Sequence, residues 1–190
     1  MSVFEALDSR RLILDPEPAP RLPSAGEESP YATSAVDLRL ANEVAWLKDG
    51  IPANVDLRSG RFHSLFSSNS EQRRIEQDQP YALGPNKLVL GKTLERVTLP
   101  LDCEGHCLAA RVEGKSSFAR CGLLVHFTAP TIHAGFHGNI TLELINMGPL
   151  PILLYPHMYI CQLIIEQVDG KPVRNDSQFQ GQSTAGGGTQ

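Results

Sequence analysis

The chain has 190 residues, 41% of them hydrophobic and 20% charged, and a formal net charge of −4 at pH 7. That length supports one domain with a real core, and the composition is ordinary for a soluble globular protein. The negative balance excludes a global field that would gather nucleic acid, so a bound anion has to be held by local groups.

The N-terminus, M-S-V-F-E-A-L-D-S-R-R, carries an acid and lacks the apolar stretch of a secretion signal. No apolar run approaches the ~18 residues that a membrane-spanning helix requires. Four irregularly spaced cysteines do not suggest a disulfide framework, so a reducing cytoplasm is the expected location. Ser2 followed by Glu5 has the pattern of a capping box and predicts a short helix through about Leu12. Residues 16–33 hold five prolines and predict an irregular surface arm. Ala35 to Leu40 alternates apolar and polar residues, which predicts a strand. Residues 48–78 are polar and mixed, and predict a long excursion with little regular structure.

From Tyr81 onward, short β-patterned runs are separated by Pro and Gly. Strands are predicted over Lys87–Leu90, Thr93–Leu99, Cys107–Val112, Leu123–Phe127, Ile140–Ile145, Ile152–Tyr155 and Tyr159–Glu166. This spacing predicts an all-β barrel or a jelly-roll-like sandwich with short helices. The polar, Gly-rich end at 169–190 reads as a flexible tail beyond a single domain at 1–168.

The chemistry is concentrated in 114–143, G-K-S-S-F-A-R-C-G-L-L-V-H-F-T-A-P-T-I-H-A-G-F-H-G-N-I-T-L-E. Gly114 allows a tight turn or a close approach to a ligand. Ser116 or Ser117 suits a helix N-cap, and the following residues one short turn whose free N–H groups would favour phosphate. Lys115 and Arg120 add full charges. The same string also suits a capped surface turn with two solvated cations. On the predicted strand, Ile140, Leu142 and Leu144 face one way and Asn139, Thr141 and Glu143 the other. Glu143 is either a solvated or salt-bridged acid, or a general base in a cleft. C-E-G-H-C (103–107) lacks the paired spacing of a zinc site. His126 is expected to pack within a strand and His137 to be exposed, with neither they nor His133 forming a metal site.

Taken in order, S-A-V-D-L-R-L (34–40), Y-A-L-G-P-N-K-L-V-L-G-K-T-L-E (81–95), G-K-S-S-F-A-R-C-G (114–122), H-F-T-A (126–129), G-F-H-G-N-I-T-L-E (135–143), M-Y-I-C-Q-L (158–163) and F-Q-G-Q (179–182) resemble the dCTP deaminase branch of the dUTPase-like superfamily. The resemblance implies a distorted jelly-roll (a dUTPase-like β-barrel), assembled as a homotrimer with sites between subunits. It also implies zinc-independent hydrolytic deamination of dCTP to dUTP and ammonia. Lys115, Ser116, Ser117, Phe118, Ala119 and Arg120 would hold the triphosphate together with its Mg2+, and Arg120 and Ser116 would help position the attacking water. Thr128, Ala129, Thr141 and Leu142 would read the pyrimidine through backbone groups. Glu143 would be the general base and acid. Gln162 and Gln182 would contact nucleotide, the latter from a tail that closes over it.

The family pattern I-D-x-G is I-H-A-G here, with His133 at the position that contacts the sugar and supports diphosphatase chemistry in relatives. That replacement favours deamination without pyrophosphate release. A dUTP diphosphatase, a bifunctional enzyme and a non-catalytic nucleotide-binding relative remain alternatives, and dTTP is an expected inhibitor. Gln178 and Phe179 replace the family's tail Lys and Tyr, and P-H-M (156–158) its P-G-M turn.

Overall fold

The computed structural model describes residues 2–51, 54–56, 58, 62–170 and 180–186. Helix α1 (Val3–Asp8) carries the capping box: the Glu5 N–H donates to the Ser2 hydroxyl at 3.2 Å, and the Glu5 carboxylate accepts the Ser2 N–H at 2.7 Å. The helix stops at Asp8, short of Leu12, because Arg10 takes a left-handed φ of 55° and the chain turns into β1 (Ile13–Asp15). The proline-rich arm is irregular and is tied down by Arg21, which bonds Asp8 at 2.6 Å, and by the Tyr31 hydroxyl, which donates to the Pro18 carbonyl at 2.7 Å.

β2 (Ala35–Arg39) and β3 (Glu43–Leu47) follow. The stretch predicted as an excursion contains α2 (Phe62–Asn69) and β4 (Ser70–Arg74). β4 reads S-E-Q-R-R; among the described residues it is an exposed edge strand paired only to β3, so it has no apolar alternation to reveal it. β5 (Tyr81–Leu83), β6 (Leu88–Thr98) and β7 (Leu108–Gly114) lead to α3 (Ser116–Ala119). β8 (Leu123–Val125), β9 (Thr131–Ile132), β10 (His137–Asn146), β11 (Ile152–Leu154) and β12 (Tyr159–Gln167) complete the order.

One sheet runs β4-β3-β6-β10-β8, with β1 against the end of β6; a second runs β2-β12-β7-β9, and β5 pairs with β11. Their inner faces share one core, to which Val89, Leu142 and Leu144 contribute from the first sheet and Val36, Leu38, Val112 and Leu163 from the second. Each fully buried aliphatic side chain stabilises the fold by about 1.5–3 kcal/mol.

The two strands predicted over 87–99 are one strand with a bulge. Between the pairs Asn139↔Arg96 and Thr141↔Lys92, two steps along β10 span four along β6. Asn139 fills the break: its amide donates to the carbonyls of Thr93 (2.9 Å), Leu94 (3.2 Å) and Glu95 (3.3 Å). The Thr93 hydroxyl accepts the Ile140 N–H at 2.9 Å. The bulge also turns Glu95 inward, where its fully buried carboxylate accepts from Arg39 Nε at 2.6 Å and from the Arg39 N–H at 2.9 Å. Beyond the bulge, Leu142 and Leu144 point into the core and Thr141 and Glu143 lie on the outer face, as the alternation predicts, whereas Asn139, expected on that face too, is buried with its amide in the break.

Candidate active site

Glu143 lies mid-strand on that outer face. The pair Leu144↔Val125 sets the register of β10 against β8, so the residue opposite Glu143 is His126. β8 ends at Val125, and His126 adopts a left-handed φ of 63°. Its Nδ1 bonds the Glu143 carboxylate. The His126 side chain is only 6% exposed, and its buried Nε2 has no hydrogen-bond partner among the described residues. Burial alone would push the Glu143 carboxyl up. The bond to His126, its charge and the Phe127 N–H outweigh burial and hold the carboxyl below its ordinary range. The expectation that His126 packs inside a strand is therefore corrected: it sits just past the strand end and is paired to the acid. His137 is exposed, as expected.

The cationic turn stands close by. Gly114 ends β7, and a Cβ there would lie 3.8 Å from the Val125 Cβ, so the ends of β7 and β8 adjoin. The N-cap of α3 is Lys115, not a serine, and it makes no side-chain capping bond. Ser116 and Ser117 fall inside the helix and are exposed, as is Arg120. A pair of glycines fixes this turn. Gly122, at φ 93°, would place a Cβ 2.3 Å from the Gly148 nitrogen, and Gly148 would place one 2.4 Å from the Cys121 carbonyl. The Met147 N–H donates to the Gly122 carbonyl at 2.8 Å across this contact. The turn after α3 is thereby clamped to the end of the strand that carries Glu143.

Lys115 is not solvated. Its ammonium pairs with the Asp37 carboxylate on β2 and lies 5.9 Å from the centroid of the Tyr159 ring. The pairing Gln162↔Asp37 between β12 and β2 brings Gln162 to the same acid, and its Nε2 donates to Asp37 at 3.0 Å. Asp37 went unassigned in the sequence, although alternation in V-D-L places it opposite Val36 and Leu38.

Thr128 and Ala129 are exposed beyond the His126 turn, as is His133 after β9. Phe127, which precedes them, is 62% exposed. Leu142 turns its side chain inward, so only its backbone is left to face a ligand. Residues 180–186 cross the outer face. The Gly181 N–H donates to the His137 carbonyl at 2.8 Å, and the Asn139 N–H to the Gln182 carbonyl at 3.0 Å. The Thr141 hydroxyl donates to the Gln182 side-chain oxygen at 3.2 Å, which places buried Gln182 two residues along the strand from Glu143. Lys92 bonds the Ser183 carbonyl, and the Ala185 N–H donates to the Glu43 carboxylate at 3.1 Å. Gln178 and Phe179 lie outside the described residues.

Among the described residues no group of three or more His, Cys, Asp or Glu is placed to hold a metal. The cradle offers cations and hydroxyls, a donor set that fits phosphate arriving with its own magnesium. Among the described residues no helix is long and apolar enough to cross a membrane.

A family model described as dCTP deaminase-like matches residues 9–168. A curated relative from Methanosphaera stadtmanae, named dCTP deaminase, dUMP-forming, is 35% identical over 184 residues, covering 93% of this chain and 85% of its own length. A protein of the same name from Pseudarthrobacter chlorophenolicus is 46% identical over 126 residues, covering 59% of this chain and 63% of its own length. A solved 2'-deoxycytidine 5'-triphosphate deaminase from Agrobacterium tumefaciens superposes with a TM-score of 0.58 at 17% identity, covering 94% of this chain and 50% of that one. That structural likeness speaks for the fold, and the sequence matches extend it to kinship: the chain belongs to the dCTP deaminase-like family.

Proposed function

We propose that this protein deaminates dCTP hydrolytically, with Glu143 as the general base and then the general acid. The observation that carries the reading is a half-buried carboxylate bonded to His126, which helps to hold it below its ordinary range, on the same face as Thr141 and adjoining a cationic turn. As a carboxylate, Glu143 takes a proton from water while the hydroxide attacks C4 of cytosine. It then gives that proton to the ring nitrogen, takes the proton of the new C4 hydroxyl and passes it to the amino group, which leaves as ammonia as the C4 carbonyl forms. Ser116 and Arg120 position the water. Lys115, Ser116, Ser117 and Arg120, with the backbone of Phe118 and Ala119, grip the triphosphate, and Lys115 exchanges Asp37 for phosphate as it does so. Magnesium bound to the triphosphate neutralises part of its charge. Backbone groups of Thr128, Ala129, Thr141 and Leu142 read the pyrimidine, His133 faces the sugar, and Gln162 and Gln182 complete the contacts. The exposure of the cradle and of Phe127 supports a homotrimer in which a neighbouring copy closes each site, and dTTP would compete there as an inhibitor.

The first product is then dUTP. A second reading, in which pyrophosphate is also released and the product is dUMP, is favoured by the names of the two relatives above. An imidazole at position 133, where relatives place an acid, counts against it. Incubation of purified protein with dCTP and magnesium, followed by ammonia assay and ion-exchange separation of uracil nucleotides, separates the two. Ammonia with dUTP supports the first reading, and dUMP with pyrophosphate the second. Binding of dCTP without turnover would overturn both.

A further inference from the structure

The β6–β7 loop holds C-E-G-H-C, a motif that the proposed deamination does not use. Gly105, at φ 86°, folds the loop back so that the Cys103 and Cys107 sulfurs face each other at 3.7 Å. Cys107 is buried and Cys103 half-buried, so one thiol meets solvent and the second stands behind it. A disulfide needs an S–S separation of ~2.05 Å, so closure requires these two side chains to approach further.

The same loop holds Val168 and, through Leu101 and Gly135, bears on Gln180. The Cys107 carbonyl accepts the Val168 N–H at 3.0 Å, just past the end of β12. The Cys107 thiol donates to the Leu101 carbonyl at 3.3 Å, and the Cys103 thiol reaches the Pro100 carbonyl at 3.6 Å. The Leu101 side chain packs against Gly135, where a Cβ would lie 3.1 Å from it. The Gly135 carbonyl in turn accepts the Gln180 side-chain N–H at 3.2 Å, and the neighbouring His137 N–H donates to Gln180 at 3.1 Å.

We propose that Cys103 and Cys107 form a dithiol modification site that a small-molecule disulfide, such as oxidised glutathione, converts to an intramolecular disulfide, and that closure loosens the anchorage of residues 180–182. The Cys103 thiolate attacks the oxidant's S–S bond, forming a mixed disulfide and releasing one glutathione thiolate. The Cys107 thiolate then attacks the Cys103 sulfur and releases the second. The protein loses two electrons and two thiol protons, and the oxidant is reduced to two thiols. Burial, and then the neighbouring Cys107, hold the Cys103 thiol above its ordinary range, so the first step quickens as pH rises. Closure removes both S–H donors to the 100–101 turn, and with them the contacts that seat Leu101 against Gly135.

The test uses the full chain carrying Cys121→Ser, which removes the exposed thiol elsewhere. Treatment with oxidised glutathione is followed by intact mass, peptide mapping and hydrogen exchange. The expected result is loss of two hydrogens mapped to 103–107. Exchange at the Gly181 and Asn139 amides should be about tenfold faster and return to baseline on reduction. Adding Cys103→Ser should abolish both changes. A glutathione adduct that never resolves to the internal disulfide, or a disulfide that leaves those amides unchanged, would overturn the proposal. Neither readout depends on catalytic activity, so the outcome stands apart from the deaminase reading.

Discussion

The two halves of the candidate site are built differently. Glu143 sits in the middle of a strand paired to β6, beside a buried histidine bonded to its carboxylate, and next to a tail segment seated on Thr141. The cradle sits on a four-residue helix whose Ser116, Ser117 and Arg120 face solvent and whose Lys115 is engaged by Asp37. The Glu143 carboxylate is set in charge and direction by the fold itself, which is what electrostatic preorganisation would require of the proposed base. The cationic turn is only located by the fold, through the Gly122–Gly148 clamp, and in the proposed function it reaches its working arrangement when a triphosphate displaces Asp37 from Lys115. Chemistry should therefore respond to changes around Glu143, and affinity to changes around α3.

The sharpest way to break this contrast is Glu143→Gln. The amide keeps the shape but cannot accept a proton, so ammonia release from dCTP should fall by at least ~10²–10⁴-fold. Calorimetric affinity for dCTP should change only slightly. A variant that retains full turnover would remove Glu143 from the mechanism.

Rigidity of the Glu143 half is tested through the β6 bulge. Arg39→Ala leaves the Glu95 carboxylate fully buried without its cation. A broken buried pair typically costs about 3–5 kcal/mol, which urea unfolding would register as a lower midpoint. An unchanged midpoint would mean that Glu95 is satisfied without Arg39. Arg120→Ala should do the reverse. The side chain is exposed, so stability should stay within about 0.5 kcal/mol. Losing charge-assisted contacts to phosphate should weaken dCTP binding roughly 10–100-fold. Equal loss of stability and affinity would show that α3 is as structural as β10.

The same contrast explains what the sequence made legible. The inward row Ile140, Leu142, Leu144 reads directly from alternation, and with it the outward placement of Glu143. The short turn at Ser116 to Ala119 reads from residue types, although its N-cap is Lys115 and not the expected serine. β4 did not read because an edge strand facing water needs no apolar period. The single strand β6 read as two because Thr93 to Glu95 break its register, and the amide that bridges the break belongs to Asn139, 46 residues away from Thr93. The partnership of His126 and Glu143 was hidden for the same reason. It follows from the Leu144↔Val125 register and a left-handed residue at the end of β8, neither of which is a local property.

The smallest expected effect bears on that partnership. His126→Asn removes the ring and the charge that help to hold the Glu143 carboxyl below its ordinary value of 4.5, leaving burial to push it up. A base must be ionised to accept a proton, so the acid limb of kcat/KM should move to higher pH in the variant, with little change near neutrality, where both carboxyls are ionised. Stability should show the matching sign. A carboxyl whose folded pKa is depressed stabilises the fold fully above its unfolded pKa and loses that contribution as pH falls through the folded value. The stability advantage of wild type over His126→Asn should therefore be greatest from neutral pH down to the ordinary carboxyl range and shrink below it. An acid limb that stays in place while stability falls uniformly with pH would assign His126 to packing alone, and the ionised state of Glu143 would then have to come from the Phe127 N–H and the exposure of the outer face.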